Sequence, residues 1–151
     1  DKSLTTLQQL EYLSSLIREY KLIYVEDPFN QDDFVSFSVL TKNSNCLIVG
    51  DDLYATNPKR LKAALDIKAT NAVLVKPNQI GTISDTIEFV REAKKNRLKV
   101  VLSHRSGETD DTLLSHLAVG LGADYIKLGI SGERIIKINE MIRIEEQVSS
   151  L

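Results

Sequence analysis

The chain has little of what would place it among secreted, membrane-spanning or nucleic-acid-binding proteins. Its single cysteine, Cys46, excludes an internal disulfide and fits a reducing, cytoplasmic compartment. Cys46 opens the apolar run Cys46-Leu47-Ile48-Val49, where a buried, inert thiol is expected in place of a nucleophile. No apolar stretch approaches the roughly 20 residues of a membrane span. Cationic surplus is also missing: the formal net charge is −2 and the lysines are spread along the chain, which argues against nucleic acid as a partner. The opening Asp1-Lys2-Ser3-Leu4 shows neither a signal-peptide pattern nor an initiator methionine, so a chain processed, trimmed or excerpted from a longer one is expected. Hairpin signals between the apolar runs are absent as well.

What is present is an alternation. With 151 residues and 42% apolar composition the chain is the size of one domain with a sizeable core. Leu4 to Tyr20 keeps helical spacing of leucine and isoleucine and predicts an amphipathic helix. Leu22-Ile23-Tyr24-Val25 then reads as a short strand ending in Glu26-Asp27-Pro28, with Asp32 and Asp33 available to cap a helix carrying Phe34, Phe37 and Leu40. The pattern returns at Cys46–Val49, ending in Asp51-Asp52, with Asn57-Pro58 as N-cap and first residue of the next helix. It returns at Ala72–Val75, ending in Lys76-Pro77-Asn78, before a helix from Ile83 to Lys95 that carries Ile83, Ile87 and Val90. A fourth copy is Leu98–Leu102, followed by the polar loop Ser103–Asp111; Thr109-Asp110-Asp111 is expected to cap a helix with Leu113, Leu114, Leu117 and Val119. The fifth is Tyr125–Gly129, and a last helix is expected from Glu133 to Val148.

Five strand-then-helix units without hairpins predict parallel βαβ connectivity, and continuous Val/Ile/Leu strands fit a parallel sheet buried on both faces. Each unit ends its strand with an ionisable residue: Glu26, Asp51, Lys76, His104 and Lys127, at intervals of roughly 25 residues. Singly, such residues read as solvated loop charges. Lys127 departs from that, because it lies between apolar neighbours and needs a partner or a ligand. Jointly, parallel βα geometry converges the five on one pocket at the carboxyl ends of the strands. Glu26 and Asp51 suit a hard divalent cation such as Mg²⁺. A lysine beside a cation loses its proton more readily and can serve as a base, and Arg105 with Ser106 suits a phosphate. That set suggests proton abstraction next to a carboxylate.

Six motifs hold these residues, Lys127 excepted: Val25-Glu26-Asp27-Pro28-Phe29, Gly50-Asp51-Asp52-Leu53, Thr56-Asn57-Pro58-Lys59-Arg60, Lys76-Pro77-Asn78-Gln79-Ile80-Gly81, Ser103-His104-Arg105-Ser106-Gly107-Glu108-Thr109 and Arg143-Ile144-Glu145-Glu146. In order and spacing, from about Leu22 to Glu146, they resemble enolase, and Lys76-Pro77-Asn78 is similar to the archaeal type. The resemblance implies an α/β fold in which residues 1–151 are five consecutive parallel βα units, the C-terminal portion of a TIM-like barrel. It implies reversible dehydration of 2-phosphoglycerate to phosphoenolpyruvate in glycolysis. Lys76, Lys127 and His104 would be catalytic: Lys76 would take the C2 proton, Lys127 would contact the substrate carboxylate and help lower the pKa of that base, and Ser103, His104, Arg105 and Ser106 would hold the substrate, with Arg105 and Ser106 on its phosphate. Glu26 and Asp51 would be two of three ligands of a Mg²⁺ ion; a lysine base with Mg²⁺ is the general pattern of this superfamily.

The resemblance also implies parts that this sequence does not contain: an amino-terminal α+β domain, the first barrel strands with a third metal carboxylate, a general-acid glutamate and closing loops. The isolated chain is therefore expected to be inactive. Its open strand edges and uncovered interior face lead to the expectation of a homo-oligomer or of association with the missing amino-terminal part. The alternative is a non-catalytic half-barrel module that keeps the pocket only by descent.

Overall fold

A computed structural model describes residues 3–150. The elements run α1 (Thr6–Tyr20), β1 (Tyr24–Glu26), α2 (Phe34–Lys42), β2 (Leu47–Gly50), α3 (Pro58–Ile67), β3 (Ala72–Val75), a one-turn α4 (Pro77–Ile80), α5 (Ile83–Lys95), β4 (Lys99–Ser103), α6 (Leu113–Gly120), β5 (Tyr125–Lys127) and, after a 3-10 turn at Gly132–Arg134, α7 (Ile135–Ser149). The five strands form one sheet in the order β1-β2-β3-β4-β5, every neighbouring pair parallel. With the helices on its outer face, this is a curled half-barrel. Among the described residues no helix is long and apolar enough to cross a membrane.

Local chemistry sets the helix starts. The Thr5 hydroxyl accepts from the Gln8 amide while the Gln8 side chain accepts from the Thr5 amide, so α1 begins at a capping box two residues after the expected Leu4. Asp33 accepts from the Ser36 amide at 3.0 Å, and Asn57 from Lys59 at 2.9 Å with Pro58 as the first helical residue, both as read from the sequence. The start of α6 differs from expectation. Thr112 occupies its cap position without a side-chain cap bond, no acidic residue lies in its first turn, and Asp111 instead accepts from the Leu113 amide at 3.0 Å. β1 is shifted to Tyr24–Glu26, so Glu26 belongs to the ladder.

The outer core forms where Ile48, Val73, Val75, Val100 and Leu102 of the strands meet Phe37, Leu40, Leu61, Phe89, Val90 and Leu114 of the helices. On α5 the buried stripe is Thr86, Phe89, Val90 and Ala93, not the expected Ile83 and Ile87. Thr86 can lie inward because its hydroxyl donates to the Thr82 carbonyl at 2.8 Å. The interior face also departs from expectation. Val49, Ala72, Leu74 and Val101 cluster there, none more than 1% exposed, with Tyr24 and Leu47 packed alongside. The sheet curls far enough for its concave side chains to cover one another. Apolar surface remains at the two ends of the sheet, where Ile23 is 81% and Tyr125 49% exposed.

Candidate active site

Every ionisable residue singled out in the sequence lies at a strand's carboxyl end. Glu26, Ser103 and Lys127 close β1, β4 and β5; Asp51, Lys76 and His104 follow β2, β3 and β4 directly. Asp51, Lys76, Ser103, His104, Arg105, Ser106 and Lys127 line one polar cleft of about 310 Å³. Glu26 is not in its wall but joins the group through Lys127.

The carboxylates and lysines pair across the cleft mouth. Lys76 Nζ lies 2.5 Å from Asp51 Oδ2, and Lys127 Nζ donates to both oxygens of Glu26 at 2.7 Å. The partner demanded for Lys127 is therefore Glu26. Tyr24 also donates to Glu26 Oε2 at 2.8 Å. Burial raises the Glu26 pKa, but hydrogen bonds from Lys127 and Tyr24, with the charge of Lys76, bring it below the usual carboxylate value. The same burial and the Glu26 carboxylate push the Tyr24 phenol far up, so it remains a donor.

Asp51 is buried; its Oδ2 holds Lys76, whereas its Oδ1 has no hydrogen-bond partner among the described residues. An ionised oxygen buried without a partner is costly unless something polar meets it, and a hard cation fits that need. Ligand atoms of Asp27, Asp51 and Asp52 also lie within 4.8 Å of one another. Asp27 has another duty. Its two oxygens accept the backbone amides of Asp51 at 2.9 Å and Asp52 at 2.7 Å, tying the end of β1 to the turn after β2. It does so from a left-handed backbone, with φ of 41°, immediately before Pro28. Burial raises its pKa; the two amides oppose that and the charges of Asp51 and Asp52 reinforce it.

Lys76 is fixed at its backbone: its amide donates to the Thr56 hydroxyl at 3.0 Å, and Thr56 donates to Gln79 at 2.7 Å. His104 is fixed at both ends. Its amide donates to the Lys127 carbonyl at 3.2 Å, and its Nδ1 accepts from the Gly129 amide at 3.1 Å, so the neutral ring carries its proton on Nε2. Burial, with the charges of Arg134, Lys127 and Lys137 opposed by Glu108, lowers its pKa and favours that neutral form. Ser103 points its hydroxyl at the His104 carbonyl, 3.0 Å away. Among the described residues the Arg105 guanidinium makes no hydrogen bond or ion pair, while its amide donates to Glu108 Oε1 at 2.7 Å.

Three residues around the site escaped the sequence reading of roles: Tyr24, Asp27 and Lys137. Lys137 had a visible signal, a lysine inside Ile135-Ile136-Lys137-Ile138, of the same kind as Lys127. Tyr24 and Asp27 had none beyond adjacency to Glu26. Cys46 is buried, with its thiol pKa raised by burial, and takes no part.

A curled parallel βα sheet with carboxylates, lysines and an unpaired guanidinium gathered at its strand ends defines an enzyme-type barrel domain, the site placed where TIM barrels hold their ligands. The chain belongs to the enolase family: the family model for the enolase C-terminal TIM barrel domain matches residues 1–151. It is 50% identical over 147 residues to the enolase of Archaeoglobus fulgidus, covering 97% of this chain and 37% of that protein. It is 51% identical over 151 residues to the enolase of Picrophilus torridus, covering 98% of this chain and 38% of that protein, and 48% identical over 148 residues to that of Natronomonas pharaonis, covering 96% and 37%. The chain thus spans under two fifths of the length of these curated relatives.

Proposed function

We propose that the chain supplies the strand-end wall of an enolase active site, which reversibly dehydrates 2-phosphoglycerate to phosphoenolpyruvate in the cytoplasm. The observation that carries this reading is the pairing of Lys76 with Asp51, whose other oxygen is buried without a partner among the described residues, in the cleft that the Arg105 guanidinium lines. Lys76, anchored through Thr56, takes the proton from C2 of the substrate as a general base. Lys127 holds the substrate carboxylate at the other side of the cleft. Arg105 and Ser106 bind the phosphate, and neutral His104 donates from Nε2 to a substrate oxygen while Ser103 steadies the turn beside it. Glu26 and Asp51 would hold Mg²⁺, which supplies positive charge beside the substrate carboxylate where negative charge develops.

Turnover on this reading draws on residues outside the chain, contributed by an amino-terminal part. A second reading, a half-barrel module without catalysis, is favoured by one observation: each lysine already neutralises a carboxylate in the structure. Ultraviolet absorbance of phosphoenolpyruvate, with excess Mg²⁺, separates the two. The purified chain alone should show no turnover, and addition of the amino-terminal remainder of an archaeal enolase should restore it. Lys76→Ala should abolish that restored turnover with the fold intact. Turnover retained by Lys76→Ala would remove Lys76 as the base, and robust turnover by the chain alone would overturn the need for outside residues.

A further inference from the structure

The loop that carries Arg105 has little packing beneath it. The cleft of about 310 Å³ lies on one side and a second cavity of about 300 Å³ on the other, and Ser103 and Arg105 line both. Ser106 and Gly107 are exposed. What holds the loop is a set of polar ties from a single turn of chain at the start of α7. Arg134 donates to the Ser106 carbonyl at 2.8 Å. Lys137, 1% exposed and the only buried residue of α7, donates to the Thr109 carbonyl at 2.8 Å and pairs with Glu108 Oε2 at 2.8 Å. The other oxygen of Glu108 accepts the Arg105 amide. Lys137 is itself fixed from behind, because the buried Ser115 hydroxyl of α6 donates to its carbonyl at 2.7 Å. The chain of contacts therefore runs from α6 through Lys137 and Glu108 to the backbone of Arg105.

We propose that Lys137 is a positioning residue which, through Glu108, presets the Arg105 guanidinium at the cleft as an anion clamp. A fully buried ammonium is expensive unless its partners are fixed, and here they are the loop itself, so ordering the loop and satisfying Lys137 are one event. With the loop ordered before ligand arrives, less conformational entropy is lost on binding. The inference rests on the reading of Arg105 as the phosphate contact.

The test compares the wild-type chain with Lys137→Met, which keeps an unbranched side chain one atom shorter and removes the charge. Two quantities are measured: affinity for inorganic phosphate and for 2-phosphoglycerate by calorimetric titration, and hydrogen exchange of the Arg105 amide without ligand. Lys137→Met should weaken phosphate binding by about tenfold or more and speed Arg105 exchange by a similar factor, leaving β4 exchange unchanged. Lys137→Arg should recover part of both. Leu61→Ala, which destabilises the outer core on α3 away from the site, should leave phosphate affinity unchanged, so a general loss of stability cannot mimic the result. If Lys137→Met does not fold, Glu108→Gln cuts the same relay from its more exposed end and should give the same pair of changes. Wild-type affinity and wild-type Arg105 exchange in a folded Lys137→Met protein would overturn the proposal. Failure of the wild-type chain to bind either anion would count against the functional reading alone, and the exchange measurement would still decide whether Lys137 holds Arg105.

Discussion

Glu26 and Lys127 stand on the first and last strands of the sheet, 101 residues apart in sequence, yet the Lys127 ammonium meets both Glu26 carboxylate oxygens at 2.7 Å. The bridge spans the mouth of the curl and joins the two outermost strands, which share no backbone ladder. Both side chains are partly open to solvent, so the pair is worth about 1 kcal/mol, discounted for screening. A double-mutant cycle with Glu26→Gln and Lys127→Met, read by urea unfolding at neutral pH, should return a coupling near that size. Strict additivity would show that the two strand ends do not hold each other.

Stability should fall on acidification. The pKa values of Glu26, Glu108 and Asp124 lie below the ordinary carboxylate range in the folded chain; in each case burial opposes ionisation but is outweighed, by Lys127 and Tyr24, by Lys137 and the Arg105 amide, and by Lys99 and the Val100 amide. A carboxyl group lowered on folding binds fewer protons folded than unfolded, so its contribution is complete above the unfolded value and is lost as pH falls through the folded one. His104, also lowered, acts in the same direction from the ordinary histidine value of 6.5 downward. Asp27, raised chiefly by burial, acts in the opposite direction. The urea midpoint should decline from pH 6.5 and more steeply below pH 4.5, the ordinary values of His and Glu. A midpoint flat across that range would show that these pairs do not persist in solution.

Leu74 tests the closed interior. It is fully buried on the concave face with Val49, Ala72 and Val101. Leu74→Ala should destabilise by about 3 kcal/mol, the range for a cavity left in a packed core. A cost under about 1 kcal/mol, the range for an exposed site, would mean that this face is wet in the isolated chain.

The contrast among these residues shows what was legible before the fold was known. The βα alternation was legible because parallel strands buried on both faces leave continuous apolar runs, and helix starts announce themselves through single residues such as Asp33 and Asn57. The gathering of Asp51, Lys76, His104 and Lys127 at one end followed from the same regularity, since each stands one strand further along. Tertiary substitution hid the rest. On α5, Thr86 displaced the expected Ile83 and Ile87 because a hydroxyl bonded to its own helix can be buried. The curl that covers Leu74 depends on strand twist and side-chain volumes, which a periodicity does not report. The tie of Asp27 to two amides 24 and 25 residues away has no local signature at all.

Asp51 offers the sharpest test of the metal reading, because one of its oxygens is already claimed by Lys76 and the other is buried and, among the described residues, unclaimed. A ligand that binds only the folded state raises stability by mass action, about 2.7 kcal/mol at a hundredfold excess over its dissociation constant. For a domain of this size that corresponds to a rise of about 5 °C or more in the melting temperature. Millimolar Mg²⁺ should give the wild-type chain a rise of that order in calorimetry, and Asp51→Asn should show almost none. The comparison is between increments, because Asp51→Asn also deprives Lys76 of its partner and lowers the baseline. Lys76→Met should enlarge the increment, since it removes a cation that competes for the same carboxylate. Equal increments in the wild type and Asp51→Asn would place Mg²⁺ elsewhere and leave Asp51 as a structural partner of Lys76 alone.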